Sequence, residues 1–158
     1  MNLKVRFWLV GLALVGATVL SACGGGSTGG TTGGGATTTT GGGAGETLNV
    51  TTQDALKFDP ASLSAKANTA TTTNVKNSGA LPHNWVVVKP EDADRVDQDA
   101  SAKGGDATGI TGVLAGGKLI AAGGAEAVSF NLPAGTYTYL CTSPGHYQAG
   151  MKGTLTVQ

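Results

Sequence analysis

The amino-acid sequence predicts an all-β sandwich, and three observations support this fold class. Within residues 46–158, several short segments alternate apolar and polar side chains with the two-residue period of half-buried strands. Turn-forming residues separate these segments, as at Asp59-Pro60, Asn77-Ser78-Gly79 and Pro133-Ala134-Gly135. The unbroken apolar run at 85–88 suits a strand that is buried on both faces. Short strands of this kind are typical of a sandwich.

The predicted strands follow one another with one long interruption. We expect them, in chain order, at 47–52, 69–76, 85–88, 127–132, 136–140 and 152–157. Residues 91–124 break the pattern, and we interpret them as a flap that crosses one side of the sandwich, with one short helix at 92–99. The acidic residues of this flap are expected to form a solvated face, with partner docking as the alternative: Glu91, Asp92, Asp94, Asp97, Asp99 and Asp106.

The chain begins with features of an export signal. Lys4 and Arg6 precede an uncharged apolar run at 7–20, which is too short for a comfortable membrane span. Leu20-Ser21-Ala22-Cys23 resembles the bacterial lipobox, in which the cysteine is acylated and becomes the new N-terminus. We therefore expect residues 1–22 to be a lipoprotein signal peptide. An uncleaved anchor helix and a plain secretory signal cut near Ala22 are the alternatives.

Residues 23–45 are predicted to be a lipidated cysteine followed by a flexible tether. After Cys23 this stretch contains only Gly, Thr, Ser and Ala, so it has too little apolar surface to fold. Residues 46–158 then form one domain. We expect that domain to be held by lipid at the extracytoplasmic face of a membrane, on the periplasmic or external side.

The charge balance argues against a nucleic-acid partner. The whole chain has 10 basic and 10 acidic residues. Signal cleavage removes two of the basic residues, Lys4 and Arg6, and none of the acidic ones, so the mature chain is near −2. Nucleic acid requires clustered Lys and Arg, and the domain has no such cluster.

Four side chains with metal-binding chemistry remain once export is accounted for. The chain has two His, two Cys and two Met, and processing claims Met1 and Cys23. The remaining four residues include an evenly spaced C-x4-H-x4-M motif: His83, Cys141, His146 and Met151. Two imidazoles, one thiolate and one weak axial thioether are the ligands of a blue-copper electron-transfer site. The sequence therefore predicts one type 1 copper ion.

These residues have two alternative uses. Zinc also binds Cys and His, but an axial Met favours copper. A disulfide between Cys23 and Cys141 is the structural alternative in an oxidising compartment, although it would leave His146 and Met151 without a role. Further copper sites of oxidases and nitrite reductases need additional His, so we expect a protein that is not an enzyme.

The connection between Cys141 and the strand at 152–157 is expected to set most of the site. Pro144 restricts its backbone, and Gly145 and Gly150 allow tight turns next to two of the ligands. His83 is expected to enter at the start of another strand, across the sandwich.

Two parts of the chain resemble azurin-type cupredoxins. They are His83-Asn84-Trp85-Val86-Val87 and residues 117–158, which include Cys141-Thr142-Ser143-Pro144-Gly145-His146. The gap between His146 and Met151, together with the lipobox and tether, is more similar to the auracyanins, which are membrane-tethered blue copper proteins. The resemblance implies an eight-stranded Greek-key sandwich and one-electron transfer among respiratory or photosynthetic complexes.

The resemblance also implies roles for residues beside the ligands. Asn84 would brace the ligand loops, and the backbone N–H groups of Asn84 and Ser143 would donate to the thiolate. Pro82 replaces a Gly whose carbonyl approaches copper in azurins. The N-terminal disulfide of azurins has no counterpart, because Cys141 is the only cysteine inside the domain.

The leading functional prediction is a monomeric, lipid-tethered electron carrier. Its partners would be cytochrome c-type proteins or a membrane electron-transport complex. Electrons would leave through the ring edge of His146, within a small apolar surface: Leu81, Pro82, Pro144, Gly145, Ala149 and Gly150. A periplasmic copper chaperone or store is the alternative, although such proteins tend to carry Met-rich tracts, which this chain lacks.

Overall fold

The computed structural model describes residues 45–158, so the predicted signal peptide, Cys23 and most of the tether lie outside the described residues. Nine strands and one α-helix form this part of the chain. The elements are β1 (Glu46–Gln53), β2 (Lys57–Asp59), β3 (Ser62–Ala65), β4 (Thr71–Asn77), β5 (Val86–Val88), α1 (Ala93–Ser101), β6 (Val113–Gly116), β7 (Ala125–Phe130), β8 (Gly135–Leu140) and β9 (Lys152–Val157). A short 3-10 turn, Pro90–Asp92, leads into α1.

The strands form two mixed sheets that enclose the core. One sheet has the order β2-β1-β4-β7 and the other the order β3-β9-β8-β5-β6. β1 pairs with β4 and β3 with β9 in parallel, and the remaining pairs are antiparallel. The predicted all-β sandwich with a short helical insertion is confirmed.

All six predicted strands are present, with ends that differ by a few residues. Three further strands were missed: β2, β3 and β6. Each has only three or four residues, which is too short for an alternating pattern to stand out. β2 and β3 follow each other closely in the chain yet belong to different sheets, so this stretch links the two layers at one edge.

The apolar run that precedes and forms β5 is buried on both faces, as predicted. Trp85 and Val87 belong to the core between the sheets. Val86 and Val88 face the other way and form a second apolar cluster with Val96 of α1. The flap therefore covers the outer face of the five-stranded sheet at β5 and β8. Because both faces of β5 are covered, its sequence shows no polar alternation.

No helix in the part of the chain that the structure describes has the length and apolar content needed to span a membrane.

The start of β9 approaches β8 closely, and Gly153 permits this approach. The Tyr139 ring packs over Gly153, and its hydroxyl donates to the Pro60 carbonyl at 2.8 Å. A Cβ atom at position 153 would overlap the Tyr139 ring and the Ala61 carbonyl. This contact joins β8 and β9 to the linker between β2 and β3.

Replacing Gly153 by Ala should therefore destabilise the fold. We expect the free energy of unfolding to fall by about 1–3 kcal/mol, the usual cost of overpacking a core. Thr154→Ala, on the exposed face of the same strand, should cost about 0.5 kcal/mol or less. Urea unfolding of the metal-free chain, expressed without residues 1–23, measures both values. Equal costs in the two variants would contradict the close approach.

Candidate metal centre

Three nitrogen and sulfur donors converge at one end of the sandwich. The Sγ atom of Cys141 lies 3.8 Å from Nδ1 of His83 and 3.5 Å from Nδ1 of His146. The ligand atoms of the three residues all lie within 4.8 Å of one another. Cys141 and His83 are fully buried, whereas His146 is partly exposed. Cys141 is a free thiol.

Strand pairing brings His83 to Cys141. β5 pairs with β8 so that Val86 lies opposite Leu140. At the same end of both strands, Cys141 lies one residue beyond this pair and His83 lies three residues beyond it. The expectation that His83 enters from across the sandwich is therefore wrong, because its strand is the direct neighbour of β8 in the same sheet. The backbone of His83 is fixed on its other side by two hydrogen bonds with Ile120, of 3.2 and 2.7 Å.

The loop from Cys141 to Met151 is closed by backbone hydrogen bonds at its base. The Cys141 N–H donates to the Met151 carbonyl at 3.1 Å, and the Met151 N–H donates to the His146 carbonyl at 3.0 Å. Met151 is fully buried in the core cluster that contains Cys141. Gly145 and Gly150 have φ angles of 84° and 97°, a region that favours Gly. The loop thus holds the thioether next to the thiol.

Asn84 connects the segments around the centre. Its carbonyl oxygen accepts from the Thr142 N–H at 2.8 Å. Its amide nitrogen lies within hydrogen-bond distance of the carbonyls of Gly105 and Gly117, both at 3.0 Å, and of the Thr142 hydroxyl at 2.9 Å. The side chain is fully buried, so these partners satisfy it. It holds the flap, the His83 segment and the ligand loop together.

The environment of Cys141 combines an apolar site with two amide donors. Burial raises the pKa of the thiol, and the backbone N–H groups of Asn84 and Ser143 oppose that rise. The Asn84 N–H lies 3.5 Å from Sγ. Without a cation the thiol therefore stays protonated at neutral pH, and binding of a metal would release its proton.

His146 is held in the form that binds metals. Burial is the main cause that lowers the pKa of its imidazole. The ring is therefore neutral at neutral pH, and both His83 and His146 turn Nδ1 toward the sulfur. Two imidazole nitrogens, one thiol and a buried thioether fit a copper ion, since soft sulfur donors with imidazoles are the ligands that copper prefers.

Two contacts between α1 and the ligand loop were missed by sequence reasoning. The Tyr147 hydroxyl donates to Asp94 at 2.7 Å, and the Gln148 amide donates to Asp97. Burial, and then the charge of Asp94, raises the pKa of Tyr147 to about 12, so its hydroxyl stays a donor. The expectation that the flap acids form one solvated face is wrong for Asp97, which is buried and faces the loop. The apolar residues at 93, 96 and 100 lie on the same buried face of the helix, and their spacing is the sequence signal that could have indicated the burial of Asp97.

A third missed contact involves Asp54, in the turn between β1 and β2. Its Oδ1 atom lies 3.4 Å from Nε2 of His83, the ring nitrogen that faces away from Cys141. A lone Asp in a turn gives no sequence signal for such a contact, because Asp is a common turn residue.

The predicted electron-transfer surface is exposed. Leu81 has 47% of its surface accessible and is the most exposed large apolar residue of residues 45–158. The other predicted members are also exposed: Pro82, Pro144, Gly145, Ala149 and Gly150. None carries a charge.

Comparison with known proteins identifies the family. Residues 45–158 match the family described as copper binding proteins, plastocyanin/azurin family. Auracyanin-B of Chloroflexus aurantiacus is 42% identical over 113 residues, which cover 66% of this chain and 48% of the relative, so the chain spans about half of that protein. Auracyanin-A of the same organism is 34% identical over 166 residues, which cover 99% of both chains.

The structural comparison agrees. The crystal structure of dithionite-reduced auracyanin from Roseiflexus castenholzii superposes with a TM-score of 0.68 at 35% identity, covering 73% of this chain and 99% of that one. The azurins and auracyanins are electron-transfer cupredoxins, in agreement with the expectation that the chain is not an enzyme. The chain therefore belongs to the plastocyanin/azurin family of blue copper proteins, and copper is the cofactor that its donor set fits.

Proposed function

We propose that this chain is a one-electron carrier whose copper is bound by His83, Cys141, His146 and Met151. The observation that carries the proposal is the convergence of three donor atoms within 4.8 Å. Copper bound there would cycle between Cu(I) and Cu(II), which prefer different geometries. A frame that resists rearrangement keeps the cost of each transfer small. The Asn84 hydrogen bonds and the closed base of the ligand loop supply that frame.

Burial of the donors supports a carrier over the alternative of a copper chaperone or store. His83, Cys141 and Met151 are fully buried, so release of the metal would require the site to open. A protein that passes copper on needs donors that an acceptor can reach. Retention of the metal through many redox cycles suits electron transfer.

The exit for the electron would be the partly exposed ring of His146. The surrounding patch of Leu81, Pro82, Pro144 and Ala149 is small, apolar and uncharged. Such a surface lets a partner approach closely without binding tightly. We expect the partners to be cytochrome c-type proteins or a membrane electron-transport complex. We also expect the carrier to be a monomer.

The location rests on the N-terminal sequence. Lipid on Cys23 would hold the domain at the extracytoplasmic face of a membrane through a Gly/Thr tether. The match to Auracyanin-A extends over 99% of this chain and so includes the N-terminal segment.

Met151 should tune the reduction potential rather than hold the metal. Met151→Leu removes a donor that favours Cu(II), so the potential should rise with copper retained. Met151→Gln supplies a harder oxygen donor, so it should lower the potential. Voltammetry measures both shifts. Cys141→Ser is the matched control and should abolish the blue colour, because a hydroxyl cannot replace the soft thiolate. Equal potentials for Met, Leu and Gln would mean that residue 151 does not reach the metal.

Charges placed in the apolar patch should slow electron exchange. We expect Leu81→Lys or Ala149→Glu to reduce the rate with a partner, or the self-exchange rate, at least about tenfold, which corresponds to about 1.4 kcal/mol of barrier. The blue spectrum and the potential should stay nearly unchanged. Leu114→Lys serves as the control, since Leu114 is the other exposed large apolar residue within 45–158 and belongs to β6 rather than the patch. Stopped-flow rates equal to wild type in both patch variants would place the exit elsewhere.

Loss of the lipid should release the protein from membranes. Cys23→Ala removes the thiol that would be acylated, so the chain should move to the soluble fraction after cell fractionation. A chain with more than one acyl group dissociates slowly, so wild type should stay in the pellet. A Cys23→Ala chain that still pellets would favour the uncleaved apolar segment at 7–20 as the anchor.

A further inference from the structure

Asp54 contacts a predicted copper ligand from outside the ligand set. It lies in the turn between β1 and β2, with 43% of its side chain accessible. Its Oδ1 atom is 3.4 Å from Nε2 of His83, whose own side chain is fully buried. Nδ1 of the same ring faces Cys141, so the two ring nitrogens have opposite partners.

The carboxylate of Asp54 is held in place by backbone donors. The N–H of Ala80 donates to Oδ2 at 2.7 Å, and the N–H of Leu81 donates to Oδ1 at 3.1 Å. Two backbone N–H donors on one carboxyl group favour its ionised form. Gly79 makes room for it, because a Cβ atom there would overlap Oδ1.

A buried amide fixes the segment that carries these donors. The Asn77 amide nitrogen donates to the carbonyls of Leu81 at 2.8 Å and Ile120 at 3.0 Å, and its oxygen accepts from the Gly79 N–H at 2.9 Å. Asn77 is fully buried, so its contacts are shielded from water. The N–H groups of Ala80 and Leu81 therefore face Asp54 in a fixed direction.

The direction of the contact follows from the ring. A neutral imidazole that binds a metal through Nδ1 carries its proton on Nε2. That N–H then faces the ionised carboxylate. The separation of 3.4 Å is longer than a typical N–H···O hydrogen bond, so the charge of the carboxylate contributes alongside a weak directional bond. Partners of this kind orient a metal-bound His and increase its basicity.

We propose that Asp54 is a positioning residue for His83. Asp54 orients the His83 ring through Nε2 and lowers the reduction potential of the centre. The inference rests on the proposed copper site. A fixed negative charge beside a ligand stabilises Cu(II) more than Cu(I). A more basic imidazole acts in the same direction, because a stronger donor stabilises Cu(II) more than the less highly charged Cu(I).

The test compares variants of the full chain loaded with copper. Asp54→Asn removes the charge, and we expect the preference for Cu(II) over Cu(I) to fall at least about threefold, a rise in potential of about 28 mV, since tenfold is about 59 mV for one electron. Pulsed EPR of the Cu(II) form should show a changed coupling to the remote ring nitrogen of one His. Higher salt should shrink the difference in potential, because the carboxylate is partly exposed.

Two further variants separate charge from position. Glu91→Gln removes an exposed flap carboxylate that makes no contact with a ligand, and its potential should stay near that of wild type. Gly79→Ala keeps the charge of Asp54 but displaces the carboxylate, so it should change the remote-nitrogen coupling as Asp54→Asn does. If Asp54→Asn fails to fold, Gly79→Ala tests the inference instead, and a remote-nitrogen coupling equal to that of wild type would contradict it.

The outcomes distinguish the role of Asp54 from the copper site. A blue Asp54→Asn protein with the potential and the remote-nitrogen coupling of wild type would overturn the inference and leave the site intact. A wild-type chain that never turns blue with copper would refute the site itself.

Discussion

The arrangement of the metal centre depends on the pairing of β5 with β8. Val86 of β5 lies opposite Leu140 of β8, so the segment before β5 and the segment after β8 lie side by side. One segment supplies His83 and Asn84, and the other supplies Cys141. A shift of one residue in this register would turn each side chain to the opposite face and separate the donors. The alternation in β8 specifies this register, because Tyr137 and Tyr139 are buried whereas Thr136 is exposed.

Two buried asparagines near the metal centre are satisfied by hydrogen bonds to other protein groups. Asn84 and Asn77 are both fully buried, and each connects three or more segments through backbone carbonyls and N–H groups. Such networks rigidify a structure only when every member is paired. The donors of the centre differ, because the thiol of Cys141 sits in an apolar environment that raises its pKa. Formation of the thiolate at this site therefore depends on a metal cation that compensates its charge.

The sequence predicted the sandwich, the donor set and the brace at Asn84 because each has a local signature: strand alternation, ligand spacing or a motif shared with a family. It did not predict contacts that depend on distant turns. Asp54 reaches His83 only because β1, β2 and the segment before β5 meet in space. Asp97 looked solvated among neighbouring acids, and its burial follows from how α1 packs on the sheet. Strands of three residues such as β2 carry too few positions to show a period.

The ligand loop is supported unequally on its two sides, and this asymmetry fits electron transfer. On one side, α1 holds the loop through Tyr147 and Gln148. On the other, Leu81 and Ala149 are exposed and bear no charge. The flap can therefore restrain the loop without covering the partly exposed ring of His146. A partner that docks on the apolar patch would meet the ring of His146. The contacts between α1 and the ligand loop already restrain this ring, so docking would require little rearrangement of the centre.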